Sequence, residues 1–203
     1  MNPKISVLVF DLGNVLLPFD YNIVIERLES VEEGLGKRLM SKYKENYHLH
    51  RAHEKSELSS EKFIDTMLGW IDNKIKPEEF INIYSDVFEG NKELTALLPE
   101  LKKKYKIVLL SNTNPIHQKQ WEKYEFIKYI DHMVLSHEVK AFKPESEIYK
   151  AVEDYTKAKP EEHLFIDDIE EYVNAAIARG WQGVVMKNNK QLFKDFERFG
   201  IID

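Results

Sequence analysis

Cysteine is absent from this 203-residue chain. That excludes disulfide scaffolds, Cys-ligated zinc, iron–sulfur clusters and thiol nucleophiles. No apolar run approaches the ~20 residues needed to cross a bilayer. The opening MNPKISVLVFDLGN carries only a short apolar stretch ending in Asp11, which does not have the form of a cleavable signal. A basic surplus is lacking as well: 29 Lys and Arg against 35 Asp and Glu give a net charge of −6. The two signs are mixed along the chain, whereas duplex DNA or an anionic membrane surface would call for a clustered basic face. Neither nucleic acid nor membrane is expected as a partner. Repeats and low-complexity tracts are missing too. What is present is a 43% hydrophobic chain with 11 Phe, 10 Tyr and 3 Trp, enough to fold around a sizeable core. A cytoplasmic protein, monomeric or weakly dimeric, is the expectation.

Five short apolar runs punctuate the chain. Ile5–Phe10 stops at Asp11-Leu12-Gly13-Asn14, and 106–110 stops at Ser111-Asn112. Residues 132–135 end in Ser136, 163–166 end in Asp167-Asp168, and 182–186 come last. Runs of this length and composition suit strands buried on both faces of a parallel sheet. Residues 145–156 and 170–179 place Ile148, Val152 and Tyr155, and Val173, Ala176 and Ile177, at helical spacing. Strand–helix alternation of this kind predicts a doubly wound α/β fold with a parallel sheet.

Between the first two runs the rhythm breaks. A βαβ crossover takes ~30 residues in all, yet the first run ends at Phe10 and the second begins at Lys106. Segments 21–30, 36–53, 59–73 and 77–88 of the interval carry helical spacing. Ser59 reads as an N-cap and Pro77 as a first-turn residue. The chain therefore divides into a core of residues 1–16 and 90–203 and an inserted helical cap of residues 17–89.

Polar residues at the carboxyl ends of such strands meet one ligand. Here they are Asp11, Ser111-Asn112 and Asp167-Asp168, with Lys143 shortly after the third run. Carboxylate oxygens suit Mg²⁺, while lysine, hydroxyl and backbone N–H groups suit phosphate oxygens. A metal-bound phosphate fits this set.

Phe10-Asp11-Leu12-Gly13-Asn14-Val15-Leu16, Ser111-Asn112, Lys143-Pro144 and Phe165-Ile166-Asp167-Asp168 occur in that order. Together they resemble the four motifs of the haloacid dehalogenase-like hydrolase superfamily, over nearly the whole chain. The FDLGNVL spelling is most similar to phosphatases of sugar phosphates such as glucose 1-phosphate. The resemblance implies a Rossmann-like core and a Mg²⁺-dependent phosphatase of small phosphorylated metabolites. It implies Asp11 as nucleophile, forming an aspartyl-phosphate. Mg²⁺ falls to the Asp11 carboxylate, the Gly13 carbonyl and Asp168, and the transferring oxygens to Ser111, Asn112 and Lys143. Lys140 is a rival for the lysine, and Pro144 favours Lys143. Asp167 reads as a partner of serine or backbone rather than a direct ligand. A 2-haloacid dehalogenase and a non-catalytic binding module of the same fold are the alternatives.

Two departures stand out. The family's phosphatases usually carry a second aspartate two residues after the nucleophile, for proton transfer; here that residue is Gly13. Four residues after Asp168, where relatives often have an acidic residue or Asn, stands Tyr172. In the cap, His48, His50 and His53 precede Glu54 and Glu57, and a solvated helix face is expected for these histidines. Trp70 and Trp121 read as packing residues, and the tail QLFKDFERFGIID as a helix docking on the core.

Overall fold

The computed structural model describes residues 4–202; the expected core limits at residues 1 and 203 lie outside them. Along the chain the elements are β1 (Val7–Phe10), α1 (Asn22–Val31), α2 (Leu35–Glu45), α3 (Tyr47–Glu54), α4 (Ser60–Trp70), α5 (Pro77–Ser85), α6 (Lys92–Thr95) and α7 (Leu98–Leu101). There follow β2 (Lys106–Ser111), α8 (Pro115–Trp121), β3 (His132–Leu135), α9 (Ser136–Val139), α10 (Ser146–Thr156), β4 (His163–Asp167), α11 (Glu170–Ala178), β5 (Gln182–Val185) and α12 (Asn189–Phe199). The strands form one parallel sheet in the order β3-β2-β1-β4-β5, covered by helices on both faces. This is the doubly wound α/β fold.

Alternation along the strands explains why both faces are covered. Leu8, Phe10, Ile107, Leu109, Leu164 and Ile166 pack on one side with Leu94, Leu98, Trp121, Leu192 and Phe196. Val7, Val9, Val108, Leu110 and Phe165 pack on the other with Ile148, Tyr149, Val152, Val173 and Trp181. Each fully buried aliphatic or aromatic side chain contributes ~1.5–3 kcal/mol, so two-sided burial outweighs the brevity of four-residue strands. Trp121 and the tail helix α12 join the core as expected, whereas Trp70 packs half-buried against the helices between β1 and α6.

The helices α1 to α5 bury a third apolar cluster of their own, including Val24, Leu28, Leu39, Phe63, Met67 and Phe80. The Ser59 hydroxyl accepts the Lys62 N–H, and Pro77 opens α5. One segment differs from its expectation. Residues 36–53 are not a single helix: the chain leaves α2 at Asn46, whose side-chain amide donates to the Lys42 carbonyl (2.9 Å), and restarts as α3. Asparagine competes for local backbone partners in this way. Among the described residues no helix is long and apolar enough to cross a membrane.

Candidate active site

Register brings the polar strand ends together. Phe10 is level with Leu109 on one side and Ile166 on the other, so the residues that follow β1, β2 and β4 emerge at one edge. Asp11 is pinned there by its N–H, which donates to the Ile166 carbonyl (2.9 Å).

The Lys143 ammonium lies among these ends. Its Nζ donates to Asp11 Oδ1 (2.7 Å) and to Asp167 Oδ2 (2.6 Å), with lysine and Asp167 almost wholly buried. Burial works against the charged lysine, but the two carboxylates more than offset it and hold the ammonium above its ordinary pKa. Burial pushes Asp11 up to about 7; Lys143 pulls it down and Asp167 adds to the rise. Lys140 is exposed, in the left-handed backbone region, and takes no part.

Asp11, Asp167 and Asp168 each offer a ligand oxygen, and these oxygens lie within 4.8 Å of one another. Burial and the neighbouring Asp167 raise Asp168 as well. Three carboxylates around a single ammonium leave an excess of negative charge on hard oxygen donors. That donor set fits Mg²⁺. Asp167 already accepts from Lys143 and, through Oδ1, from the Ile169 N–H (2.8 Å).

Asn112 has a task beyond its backbone. Its Oδ1 accepts the Lys143 N–H (2.8 Å) and its Nδ2 donates to the Lys143 carbonyl (3.2 Å). A side-chain amide thus ties the end of β2 to the backbone that carries the lysine. Beside it, Ser136 Oγ accepts from the Thr113 N–H and donates to the Thr113 carbonyl, both at 2.9 Å. Ser111 is buried and faces the same cavity as Asp11 and Lys143.

Three residues act at the site in ways the sequence does not signal, Asn14 although it stands in the first motif and Phe19 and Arg51 outside all four. Asn14, at φ 56°, donates from Nδ2 to Asp168 Oδ2 (3.0 Å) and orients that carboxylate. Phe19 sits against Gly13. Arg51, on α3, donates to Glu54 (3.1 Å) and to the Tyr172 hydroxyl (3.4 Å), and stacks over Phe142, the residue before Lys143. Only the folded chain brings these groups to the strand ends.

The expectation for the cap histidines is corrected in part. His48 is exposed, but His50 and His53 are buried. The inner side of α3 faces aromatic rings: His50 stacks on Tyr47 (5.2 Å between centroids) and His53 on Phe63 (4.4 Å). His50 Nε2 lies 3.1 Å from Glu54 Oε1. Burial works against the Glu54 charge, yet His50 and Arg51 bring its carboxyl below the ordinary value. The next turns engage the core: Lys55 pairs with Glu145 (2.7 Å), and the Ser56 hydroxyl donates to the His137 carbonyl (2.8 Å). Strand ends and α3 together enclose a cavity of about 490 Å³.

Comparison with known proteins gives the family. The model of a family described as a hydrolase, haloacid dehalogenase-like hydrolase, matches residues 5–180. A HAD family enzyme from Bacteroides thetaiotaomicron, solved as the wild-type protein in complex with magnesium and inorganic phosphate, is similar over 94% of this chain and 100% of that one, with 28% identity and a TM-score of 0.79. A HAD-like family hydrolase from Porphyromonas gingivalis matches over 98% and 100%, at 22% identity and a TM-score of 0.82. L-2-haloacid dehalogenase from Xanthobacter autotrophicus, with chloropropionic acid covalently bound, matches over 98% and 85%, at 17% identity and a TM-score of 0.65. The last two speak for the fold alone.

Proposed function

The chain belongs to the haloacid dehalogenase-like hydrolases, and from that membership we propose that it is a Mg²⁺-dependent phosphatase of small phosphorylated metabolites. The observation that carries this reading is the Asp11–Lys143–Asp167 bridge beside Asp168, a lysine and a carboxylate cluster at one sheet edge. A similar enzyme, from B. thetaiotaomicron, has been solved with magnesium and inorganic phosphate, which supports the same chemistry here.

In this proposal Asp11 attacks phosphorus in line. The new bond from the Asp11 carboxylate oxygen to phosphorus, an acyl-phosphate anhydride, forms as the bond to the leaving alcohol breaks. Water then hydrolyses the aspartyl-phosphate to release phosphate and restore the carboxylate. Asp11, the Gly13 carbonyl and Asp168 hold the Mg²⁺, which when bound neutralises charge on the phosphate oxygens. Lys143, Ser111 and the Asn112 backbone bind those oxygens. With no carboxyl group at position 13, the departing alkoxide takes its proton from water. Residues 17–89 form the cap and residues 1–16 and 90–203 the core. A cytoplasmic location suits a cysteine-free chain. Sugar phosphates are the first substrates to test, on the strength of the FDLGNVL spelling.

The test is phosphate release from a panel of phosphate monoesters, with and without Mg²⁺. Mg²⁺-dependent release is expected. Halide release from 2-haloacids without metal, and no phosphate release, would replace this reading with the dehalogenase.

A further inference from the structure

The wall of the cavity away from the carboxylates is aromatic. Phe19, Tyr21, Tyr43, Tyr47 and Phe88 line it, and their rings form one connected series. Centroid distances are 6.4 Å from Phe88 to Phe19, 5.4 Å from Phe19 to Tyr21, 6.3 Å from Tyr21 to Tyr43 and 6.0 Å from Tyr43 to Tyr47. These are the spacings at which aromatic side chains attract, and a further ring extends such a series at little cost in order.

Exposure points the same way. Among the described residues seven large hydrophobic side chains are exposed, and three of them line this one cavity: Phe19 (39%), Tyr47 (45%) and Ile169 (42%). Single exposed apolar side chains need no explanation, but several converging on one concavity mark a surface that a ligand covers.

Arg51 and Glu54, which α3 contributes to the cavity, are engaged with each other, and Arg51 also reaches Tyr172. His50 reaches Glu54 through Nε2, while its Nδ1 has no hydrogen-bond partner among the described residues. A polyhydroxylated sugar needs several directed polar partners, and outside the paired groups this side of the cavity offers few besides His50 Nδ1 and the exposed Lys44. A flat ring needs only the faces and edges of the aromatic series.

Resting on the phosphatase reading, we infer that the preferred substrate is a phosphate monoester whose alcohol carries a flat aromatic or heteroaromatic ring. The phosphate sits at the strand ends and the ring against Phe19, Tyr21 and Tyr47. This moves the expected substrate away from the sugar phosphates that the motif spelling points to.

The test holds leaving-group acidity nearly constant. Steady-state kcat/KM is measured with Mg²⁺ for three phosphates of primary alcohols: 2-phenylethyl phosphate, 2-cyclohexylethyl phosphate and glucose 6-phosphate. The phenyl ester is expected to exceed the cyclohexyl ester at least about threefold, the worth of a specific ring–ring contact over bulk apolarity. It is expected to exceed glucose 6-phosphate by about tenfold or more. Tyr47→Leu, a change at an exposed position that keeps apolar bulk, narrows the phenyl-to-cyclohexyl ratio towards one. Mg²⁺-dependent turnover with glucose 6-phosphate preferred, or with the two apolar esters equal, overturns the ring inference and leaves the phosphatase reading standing. No phosphate release from any of the three overturns the ring inference, and the phosphatase reading falls with it only if aryl phosphates and sugar 1-phosphates are inert as well.

Discussion

Phe19 stands over Gly13. A Cβ built on Gly13 would lie 2.9 Å from Cε1 of the Phe19 ring and 3.8 Å from Asp11 Oδ2. The space beside Asp11 where the family's second aspartate would begin is therefore bordered by an aromatic edge. Without an acid there, charge builds on the leaving oxygen as the ester bond breaks. Rates for a series of aryl phosphates should fall steeply as the leaving phenol becomes less acidic, and sugar 1-phosphates should outpace 6-phosphates. Gly13→Asp is expected to flatten that dependence with the fold intact, since the atom it meets is the far end of a half-exposed side chain. An unchanged slope in Gly13→Asp would show that a proton donor already acts from elsewhere.

Asp11→Asn should fold and lose at least ~10³-fold in kcat, because a neutral amide cannot form the acyl-phosphate. Phosphate release and a thermal melt on the same sample check both halves. Residual turnover within tenfold of the native enzyme would remove Asp11 from the nucleophile's role.

Lys143→Ala should be costlier to stability than Asp167→Asn. Removing the lysine leaves Asp11 and Asp167 buried with no counter-charge, and breaking a buried pair from one side costs about 3–5 kcal/mol. Asp167→Asn leaves Lys143 with Asp11 still 2.7 Å away. Urea unfolding of the two variants in metal-free buffer measures the difference. Equal losses would mean that the ammonium is not what balances this cluster.

Asp168→Ala should raise the Mg²⁺ concentration for half-maximal activity by about tenfold or more, with little change in the melt, since Asp168 is half-buried and its side chain's hydrogen bond is to the exposed Asn14. Asn14→Ala should shift the same midpoint less, because it frees the carboxylate from its 3.0 Å hydrogen bond without removing it. Activity titrations against Mg²⁺, with a chelator as the zero point, give both numbers.

Stability should fall as the pH drops below 6.5. Burial lowers His53 to about 4, with His50 adding to the effect, and lowers His117 to about 3. Burial holds His117 neutral, and its bonds set the tautomer: Nε2 donates to the Tyr84 carbonyl (3.2 Å) and Nδ1 accepts from the Asn114 amide (3.1 Å). The unfolded chain takes up protons first on acidification, so stability is lost from pH 6.5 down towards 4, at ~1.4 kcal/mol per pH unit for each proton. Asp11, raised from 3.8 to about 7, and Asp168, also raised, act in the opposite sense on acidification, so the comparison belongs in the double variant Asp11→Asn, Asp168→Asn. There, denaturant unfolding at pH 7.5 and 5 should differ by on the order of 2–4 kcal/mol. A pH-independent midpoint would place both histidines in contact with water.

Much of this protein was legible in order of residues. Two-sided alternation in β1, β2 and β4 follows from Val7 to Phe10, 106–110 and 163–166, because each needs cover on both faces and finds it only in a helix-flanked parallel sheet. The polar residues ending those runs had to lie at one edge. That Lys143 rather than Lys140 reaches them follows from the fold, which leaves Lys140 on the surface.

The sequence by itself determined the fold class, the helical interval between the first two strands and the identity of the polar groups at the sheet edge. Periodicity and strand-end chemistry are local, so short stretches of chain carry them. Tertiary structure decided the individual contacts: Asn112 clamping the Lys143 backbone, Phe19 over Gly13, Asn14 on Asp168, and α3 turning His50 and His53 inward. None of these can be read from a short stretch of sequence, because each depends on how the folded chain packs. That holds whether the partners are 154 residues apart, as Asn14 and Asp168 are, or close, as Gly13 and Phe19 are. Burial and directed hydrogen bonds set those contacts, and both exist only once the sheet edge and α3 face each other across one cavity.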